Sequence, residues 1–166
     1  SEEIRKLTIT INGFSKAYSM TGWRLGYTAA PKEIADAIDT IQSHSTSNPT
    51  TFAQYGAIAA LTGDQSEITD MVEEYNIRRQ YVLGRLNSIA NISTIEPDGA
   101  FYFLINIEKT GIKSVNFAEK LLSRMQVATV PGVAFGNDHS IRISYATSLP
   151  TIKEGLDRLE EFCKAH

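Results

Sequence analysis

The sequence predicts an α/β protein in which small sheets are covered by helices. Short runs rich in β-branched and aromatic residues, bounded by glycine, proline or polar clusters, are typical of strands. Longer segments place apolar residues at the spacing of an amphipathic helix. In the second half of the chain these two patterns alternate as strand, helix and strand, which favours a layer of strands packed against helices.

The composition indicates an ordinary globular protein. The chain has 166 residues, of which 42% are hydrophobic and 21% are charged, and its net charge is -3. That charge gives no reason to expect a nucleic acid or an anionic membrane as partner. No apolar run approaches the about 18 residues of a membrane helix, and no signal peptide is visible. The single cysteine, Cys163, fits a reducing compartment, so we expect a cytoplasmic protein.

The first half of the chain begins with a predicted β-hairpin. Residues 7–11 alternate apolar and polar side chains, which predicts a strand with one buried face. A second short apolar run, residues 25–30, ends at Pro31. The loop between the two runs carries Lys16 and Arg24, and glycines in and beside it permit tight turns.

Lys16 and Arg24 offer two different kinds of chemistry. An amine whose pKa is lowered by burial or by a nearby positive charge condenses with carbonyl groups. A planar guanidinium binds a phosphate or a carboxylate through two parallel donors. A protein that binds pyridoxal phosphate needs both. From residue types alone, the alternative interpretation is a surface lysine and a surface arginine on a polar loop.

Three helices are predicted in the middle of the chain. A stripe of isoleucines predicts a helix that starts after Pro31, ends near Ser43 and packs this stripe into the core. The alanine-rich run 52–61 predicts a buried helix. The longest helix begins near Asp64, where Glu67 three residues later resembles a capping box.

The second half of the chain predicts a small sheet with two helices. Residues 101–107 are typical of a strand buried on both faces, and residues 127–130 of a second strand. A helix with an apolar stripe lies between them. A closing helix begins at about Leu149 and has Pro150 in its first turn.

A further strand is predicted over residues 140–147. Alternation places Ile141 and Ile143 on one side and Arg142 and Ser144 on the other. Arg142 either extends to solvent or binds an anion. A planar guanidinium on a rigid strand orients a carboxylate better than a lysine does.

No pattern in the sequence predicts a metal site. The three histidines, His44, His139 and His166, are scattered, and one cysteine offers no zinc-binding spacing. A nucleotide-type phosphate loop and a Ser-His-Asp arrangement are also not recognisable.

The stretch from Asn12 to Tyr27 resembles the active-site segment of the fold type I aminotransferases, in particular bacterial and archaeal aspartate and aromatic aminotransferases. The residues that carry the resemblance are Asn-Gly-Phe-Ser-Lys and, four residues later, Thr-Gly-Trp-Arg-Leu-Gly-Tyr. The resemblance implies that Lys16 is the catalytic lysine that binds pyridoxal phosphate covalently and that Arg24 binds the cofactor phosphate. Many members have a phosphate-binding serine three residues before the lysine, where this chain has Gly13.

Later segments resemble the same family. They are residues 97–102 and 130–136 and the strand that contains Arg142. The resemblance implies that Arg142 binds the α-carboxylate of the substrate. The polar loop that holds Ser47 and Asn48 corresponds to a family loop that reaches toward the neighbouring subunit, which makes Asn48 a candidate for an inter-subunit site.

The position of Lys16 near the start of the chain implies a particular domain organisation. In the family the lysine lies well past the middle of the chain, so the resemblance covers only the C-terminal portion of an aminotransferase. We expect residues 1–81 to be the C-terminal part of the large cofactor-binding domain with the start of a linking helix. Residues 82–166 are then the small α/β domain.

The resemblance implies an aminotransferase that moves an amino group between an L-amino acid of the aspartate or aromatic class and a 2-oxo acid. It also implies a homodimer for the full-length protein. The family's aspartate that pairs with the cofactor ring lies upstream of the lysine, so we expect this chain alone to lack transaminase activity. Two alternatives stay open: other pyridoxal-phosphate chemistry, such as elimination or decarboxylation, and a non-catalytic C-terminal fragment or interaction module.

Overall fold

The chain forms two compact units, which the computed structural model describes over residues 1–165. The first unit is Ser1–Asp70, and the second runs from Met71 onward. No helix within residues 1–165 is long and apolar enough to cross a membrane. The predicted domain division at residues 81 and 82 concerns the complete protein and stays a prediction.

The first unit contains a β-hairpin and helices. Its elements, in chain order, are α1 (Glu2–Lys6), β1 (Thr10–Gly13), β2 (Gly26–Ala29), α2 (Lys32–Ser45), α3 (Thr51–Thr62) and the beginning of α4 (Ser66–Ser88). β1 and β2 are antiparallel, and Gly13 lies opposite Gly26 at the end that leads into the connecting loop. A one-turn 3₁₀ helix, Thr21–Trp23, lies in that loop.

β1 begins later than predicted, because local hydrogen bonds close a helical turn first. The Ser1 hydroxyl accepts from the Ile4 N–H at 3.3 Å and caps α1. The Thr8 hydroxyl donates to the Ile4 carbonyl at 2.7 Å. The prediction of a strand over residues 7–11 is therefore wrong for its first part, and β1 starts only at Thr10.

A small core holds the hairpin loop against α3. Its buried residues are Phe14, Met20, Leu25, Ala53 and Ala57. The two alanines let the loop approach α3 closely. Gly56 has the same effect, because a Cβ atom there would lie 2.5 Å from Cζ3 of Trp23.

The helices α2 and α3 are confirmed, but the burial predicted for them is wrong. No residue of α2 is buried, and Ile41 in its isoleucine stripe is 67% exposed. In α3, Phe52 is 72% exposed and Tyr55 is similarly exposed. No described part of the chain covers these faces, so helical spacing in α2 and alanine-rich composition in α3 predicted the helices but not their environment.

The second unit is a four-stranded antiparallel sheet with helices. Besides most of α4, its elements are β3 (Ser93–Thr94), β4 (Tyr102–Asn106), α5 (Ser114–Met125), β5 (Val130–Pro131), β6 (Ser140–Ser144) and α6 (Leu149–Lys164). The strand order is β3-β4-β6-β5. β6 is therefore paired on both sides, with β4 and with β5.

One face of this sheet carries the core of the second unit. Phe103, Ile105 and Ile141 are buried there and pack with apolar residues of the helices: Val82, Leu86, Phe117, Leu121, Ile152, Leu156, Leu159 and Phe162. The opposite face of β4 is open, and Leu104 is 46% exposed. The prediction that this strand is buried on both faces is therefore wrong.

The remaining elements divide between confirmed and shortened ones. The alternation of β6 and the inward face of α6 are confirmed, and the Ser148 hydroxyl caps α6. The strand predicted over residues 127–130 is reduced to Val130–Pro131. The strand is shorter because the N–H groups of Gln126 and Val127 donate to carbonyls of α5, in the turn that ends this helix.

Candidate active site

The loop between β1 and β2 is fixed at both ends and in its middle. Phe14 follows β1, Leu25 precedes β2, and both are buried. The Phe14 N–H donates to the Leu25 carbonyl at 3.3 Å, which extends the hairpin by one pair. Buried Met20 anchors the middle, and its N–H donates to the Phe14 carbonyl at 3.4 Å. The loop therefore presents its polar side chains from a defined backbone.

Lys16 lies in the turn directly after Phe14. The Tyr18 N–H donates to the Phe14 carbonyl, and the Ser19 N–H donates to the Lys16 carbonyl at 3.2 Å. The side chain of Lys16 is exposed. An accessible primary amine on a hydrogen-bonded turn can react with an aldehyde.

Arg24 has an unusual backbone conformation. It follows the 3₁₀ turn with φ 54° and ψ 48°, in the left-handed region. For a non-glycine residue this conformation costs about 1–2 kcal/mol, and such strain is concentrated at functional sites. Nη1 of Arg24 donates to the Thr21 carbonyl at 2.9 Å. Because a guanidinium has five N–H donors, others remain available to an anion.

Arg24 and Asn48 line one open cleft in the first unit. The cleft has a volume of about 640 Å³. Its other polar lining residues are Ser19, Gln42, Thr46 and Thr50. Lys16 shares the loop with Arg24, but it is not among the described residues that line the cleft.

The donors of this loop and cleft fit pyridoxal phosphate. The cleft offers a guanidinium, amides and hydroxyls, and among the described residues no carboxylate lines it. An anionic phosphate there would meet hydrogen-bond donors and no like charge. The exposed amine of Lys16 on the same loop supplies the group that an aldehyde needs.

Trp23 lines the cleft, and no sequence pattern predicted a role for it. Its ring packs on Gly56 of α3 and makes an edge contact with Phe52 at a centroid distance of 6.3 Å. Because Trp23 immediately precedes Arg24, this packing holds the backbone that presents the guanidinium. The available signal was the position of the chain's only tryptophan beside the arginine.

Arg142 lies on β6 in the second unit, opposite Leu104 on one side and Val130 on the other. Its Cζ atom lies 4.3 Å from the ring centroid of Tyr102 and 4.8 Å from that of Phe135. Within residues 1–165 its guanidinium has no hydrogen-bond or ion-pair partner. Its Cζ atom lies over both rings, and the N–H donors make no hydrogen bond within the described residues.

The sequence pattern does not connect Tyr102 and Phe135 with Arg142. Tyr102 shares the open face of the sheet with Arg142, because strand register places it opposite Ser144. Phe135 belongs to a 3₁₀ turn, Gly132–Phe135, that follows β5. Register and turn geometry bring the three together, and neither is visible in a single sequence.

Ser114, Asp138 and His139 form a cluster in the second unit, and this cluster has a structural role. Asp138 accepts from the Ser114 N–H at 3.2 Å and from the Ser114 hydroxyl at 2.7 Å, which caps α5. These hydrogen bonds, above all the one from the hydroxyl, lower the pKa of Asp138. Because Ser114 is fully buried, its hydroxyl is not an accessible nucleophile.

Metal ligands do not cluster in the described part of the chain. No group of three or more His, Cys, Asp or Glu residues within residues 1–165 could hold a metal ion. His166, one of the three scattered histidines, lies outside those residues.

The chain belongs to the class I and II aminotransferases, because the model of that family matches residues 1–159. These are pyridoxal-phosphate-dependent enzymes. The chain is 45% identical to an aspartate aminotransferase of Bacillus sp. (strain YM-2), over 99% of this chain and 43% of the relative. It superposes on the crystal structure of an aspartate aminotransferase from Rhizobium meliloti with a TM-score of 0.94 and 37% identity, over 99% of this chain and 44% of that one.

An aromatic aminotransferase from Pyrococcus horikoshii is equally similar in structure. Its TM-score is 0.94 at 40% identity, and the match covers 99% of this chain and 45% of the other. The chain thus spans less than half the length of the relatives that it matches. The predicted family and α/β fold class are confirmed, while the roles of Lys16, Arg24, Asn48 and Arg142 stay predictions.

Proposed function

We propose that the complete protein is an aminotransferase that moves an amino group between an L-amino acid and a 2-oxo acid with pyridoxal phosphate as cofactor. The observation that carries the proposal is the placement of Lys16 and Arg24 on one fixed loop in a chain of this family. The amino acid class is aspartate or aromatic, which is supported by the names of the aspartate and aromatic aminotransferases that match.

Lys16 and Arg24 hold the cofactor in this proposal. When bound, pyridoxal phosphate supplies a conjugated ring that accepts the electron pair of the substrate's α-carbon. The Nζ amine of Lys16 binds the cofactor covalently, and Arg24 binds its phosphate. The same Nζ amine of Lys16 would move the substrate's α-proton as general base and general acid.

Arg142 and Asn48 have roles toward the substrate and the second subunit. Arg142 binds the α-carboxylate, since its donors are free and its strand is paired on both sides. Asn48 contributes to the site of the neighbouring subunit in a homodimer. Its side-chain amide now donates to the Pro49 carbonyl at 2.7 Å, an exposed local bond that a partner can replace.

The proposal extends to the domain organisation and the location. Residues 1–81 belong to the large cofactor-binding domain, residues 82–166 form the small domain, and the protein is cytoplasmic. Because the chain spans only 43% of the Bacillus relative, we expect no transaminase turnover from these residues alone.

Reductive trapping tests the assignment of Lys16. The chain is incubated with pyridoxal phosphate or with pyridoxal, treated with borohydride and mapped by peptide mass spectrometry. We expect the adduct at Lys16, lost in Lys16→Ala and kept in Lys153→Ala, which removes another exposed lysine. Equal labelling of many exposed lysines would contradict the assignment.

A comparison of the affinities for pyridoxal phosphate and for pyridoxal tests whether Arg24 binds the phosphate. The variant Arg24→Gly removes the guanidinium without strain, because glycine accepts the left-handed backbone at this position. Losing a charge-assisted bond should weaken the affinity for pyridoxal phosphate about tenfold and leave pyridoxal unaffected. If both aldehydes lose affinity equally, Arg24 does not bind the phosphate. In the complete protein, dependence of turnover on an added 2-oxo acid separates transamination from elimination or decarboxylation.

A further inference from the structure

Arg142 is held by two aromatic rings that come from elements on either side of its strand. Tyr102 belongs to β4 and Phe135 to the turn that follows β5, and β6 lies between β4 and β5. The ring centroids lie 4.3 Å and 4.8 Å from Cζ of Arg142. We call this pair, Tyr102 and Phe135, the aromatic clamp.

The clamp restrains the guanidinium without using its donors. Aromatic faces attract a cation through their quadrupole, and this attraction needs no hydrogen bond from the guanidinium, whereas a carboxylate binds through its N–H donors. An acidic neighbour would also hold the arginine, but it would occupy the donors and oppose an incoming anion. No acidic residue pairs with Arg142 anywhere in residues 1–165.

We propose that Tyr102 and Phe135 are positioning residues that set the plane of the Arg142 guanidinium for a carboxylate. The proposal rests on the proposed function of Arg142 as the carboxylate-binding residue. Each ring restricts the conformations of the Arg142 side chain before the ligand arrives, so binding costs less conformational entropy. The Tyr102 hydroxyl plays no part, because the contact is made by the ring.

The test uses the chain itself and the Nε–Hε signal of Arg142 in nitrogen–proton NMR spectra, assigned by its loss in Arg142→Lys. Phe135→Leu and Tyr102→Leu each remove one ring, and Tyr102→Phe keeps the ring. Val133→Ala is the matched control, since it shortens a half-exposed side chain of the same turn without touching a ring. The backbone amide spectrum shows whether each variant keeps the fold.

We expect ring-current shifts of the Arg142 side-chain signals in the unaltered chain and in the variants Tyr102→Phe and Val133→Ala. These shifts should be smaller in Phe135→Leu and Tyr102→Leu. Titration with succinate, at constant ionic strength against chloride, gives the carboxylate affinity. The affinity should fall about three- to tenfold when either ring is lost, and Tyr102→Phe should keep it.

Two failures have different meanings. If the unaltered chain binds succinate at Arg142 and Phe135→Leu and Tyr102→Leu bind it equally well, the clamp proposal is overturned and the proposed function of Arg142 stands. If succinate leaves the Arg142 signal of the unaltered chain no different from chloride, the assignment of Arg142 to carboxylate binding fails, and the positioning role fails with it.

Discussion

Arg24 and Arg142 are both proposed to bind anions, and the chain holds them by different means. Arg24 is presented by its own backbone, which is left-handed after a 3₁₀ turn and is tied to Thr21 by the guanidinium itself. Arg142 has an ordinary strand backbone and is held by neighbours, namely the aromatic clamp. Substitutions around Arg24 therefore act through backbone conformation, and substitutions around Arg142 act through packing.

Cys163 gives a pH dependence at the scale of a single residue. Its thiol is buried, and burial raises its pKa from 9.0 to about 11. The unfolded chain then loses the thiol proton at lower pH than the folded chain, so this stability is complete below pH 9 and declines as pH rises toward 11. We expect a loss of about 1 kcal/mol at pH 10 relative to pH 8 from this group.

Urea unfolding followed by circular dichroism at both pH values measures this loss. Cys163→Ala is the control, since it removes the titrating thiol and keeps Tyr145, whose pKa is also raised by burial. Cys163→Ala should be less stable than the unaltered chain at both pH values, but its stability should fall less between pH 8 and pH 10. An identical pH dependence in both proteins would show that Cys163 does not contribute.

At the scale of the element, α3 and the 3₁₀ turn before Arg24 depend on one glycine. Gly56→Ala places a methyl group where the Trp23 ring lies, 2.5 Å from Cζ3. The half-exposed ring has to move, so we expect a change in tryptophan emission and weaker binding of pyridoxal phosphate. The cost, about 1–3 kcal/mol for an overpacked contact, is only partly offset by the better helix propensity of alanine.

Gly84→Ala is the matched control for this element. Gly84 lies within α4, and a Cβ atom there would meet nothing within 4 Å. We expect a gain in stability of up to about 1 kcal/mol with unchanged emission. If Gly56→Ala has the same effect as Gly84→Ala, the contact between Trp23 and α3 is not formed in solution.

The elements also show what a single sequence reveals. Apolar spacing predicted α2, α5 and α6, because helical periodicity is a local property, and alanine-rich composition predicted α3. Apolar spacing could not predict that no residue of the isoleucine stripe of α2 is buried, since burial depends on what covers a face. The extent of β5 was missed because the turn that ends α5 competes for the same backbone N–H groups.

The candidate site also contains residues that the sequence predicted and residues that it did not. Lys16 and Arg24 were predicted from an ordered motif that resembles the family's active-site segment, and Asn48 from the resemblance of its loop to a family loop. The structure brings Arg24 and Asn48 to one cleft. Trp23 and Phe135 were missed because their roles arise from contacts that form only in the folded chain, between Trp23 and α3 and between Phe135 and Arg142.

At the scale of the whole molecule, the two units differ in how much apolar surface they bury. The first has a core of a few residues and exposes Leu7, Ile11 and Phe52, and its sheet is a single hairpin. A two-stranded hairpin is marginally stable by itself. The second unit buries one face of a four-stranded sheet under its helices. We therefore expect the first unit to unfold at a lower urea concentration.

The chain carries its own reporter for each unit. Trp23, the only tryptophan, lies in the first unit, and Cys163, the only cysteine, is buried in the second. Tryptophan emission should change at lower urea than pulse labelling of the thiol, because separate cooperative units open separately. Coincident transitions of the two probes would show that the chain unfolds as one unit.

The central place of β6 in its sheet has a consequence for biosynthesis. A ribosome releases a chain from its N-terminus, so β4 and β5 emerge before the strand that must lie between them. Until then β4 and β5 each lack that neighbour, and Tyr102 and Phe135 have no guanidinium to contact. The synthesis of β6 thus completes both the sheet and the surroundings of Arg142, and any nascent chain halted before this strand has neither.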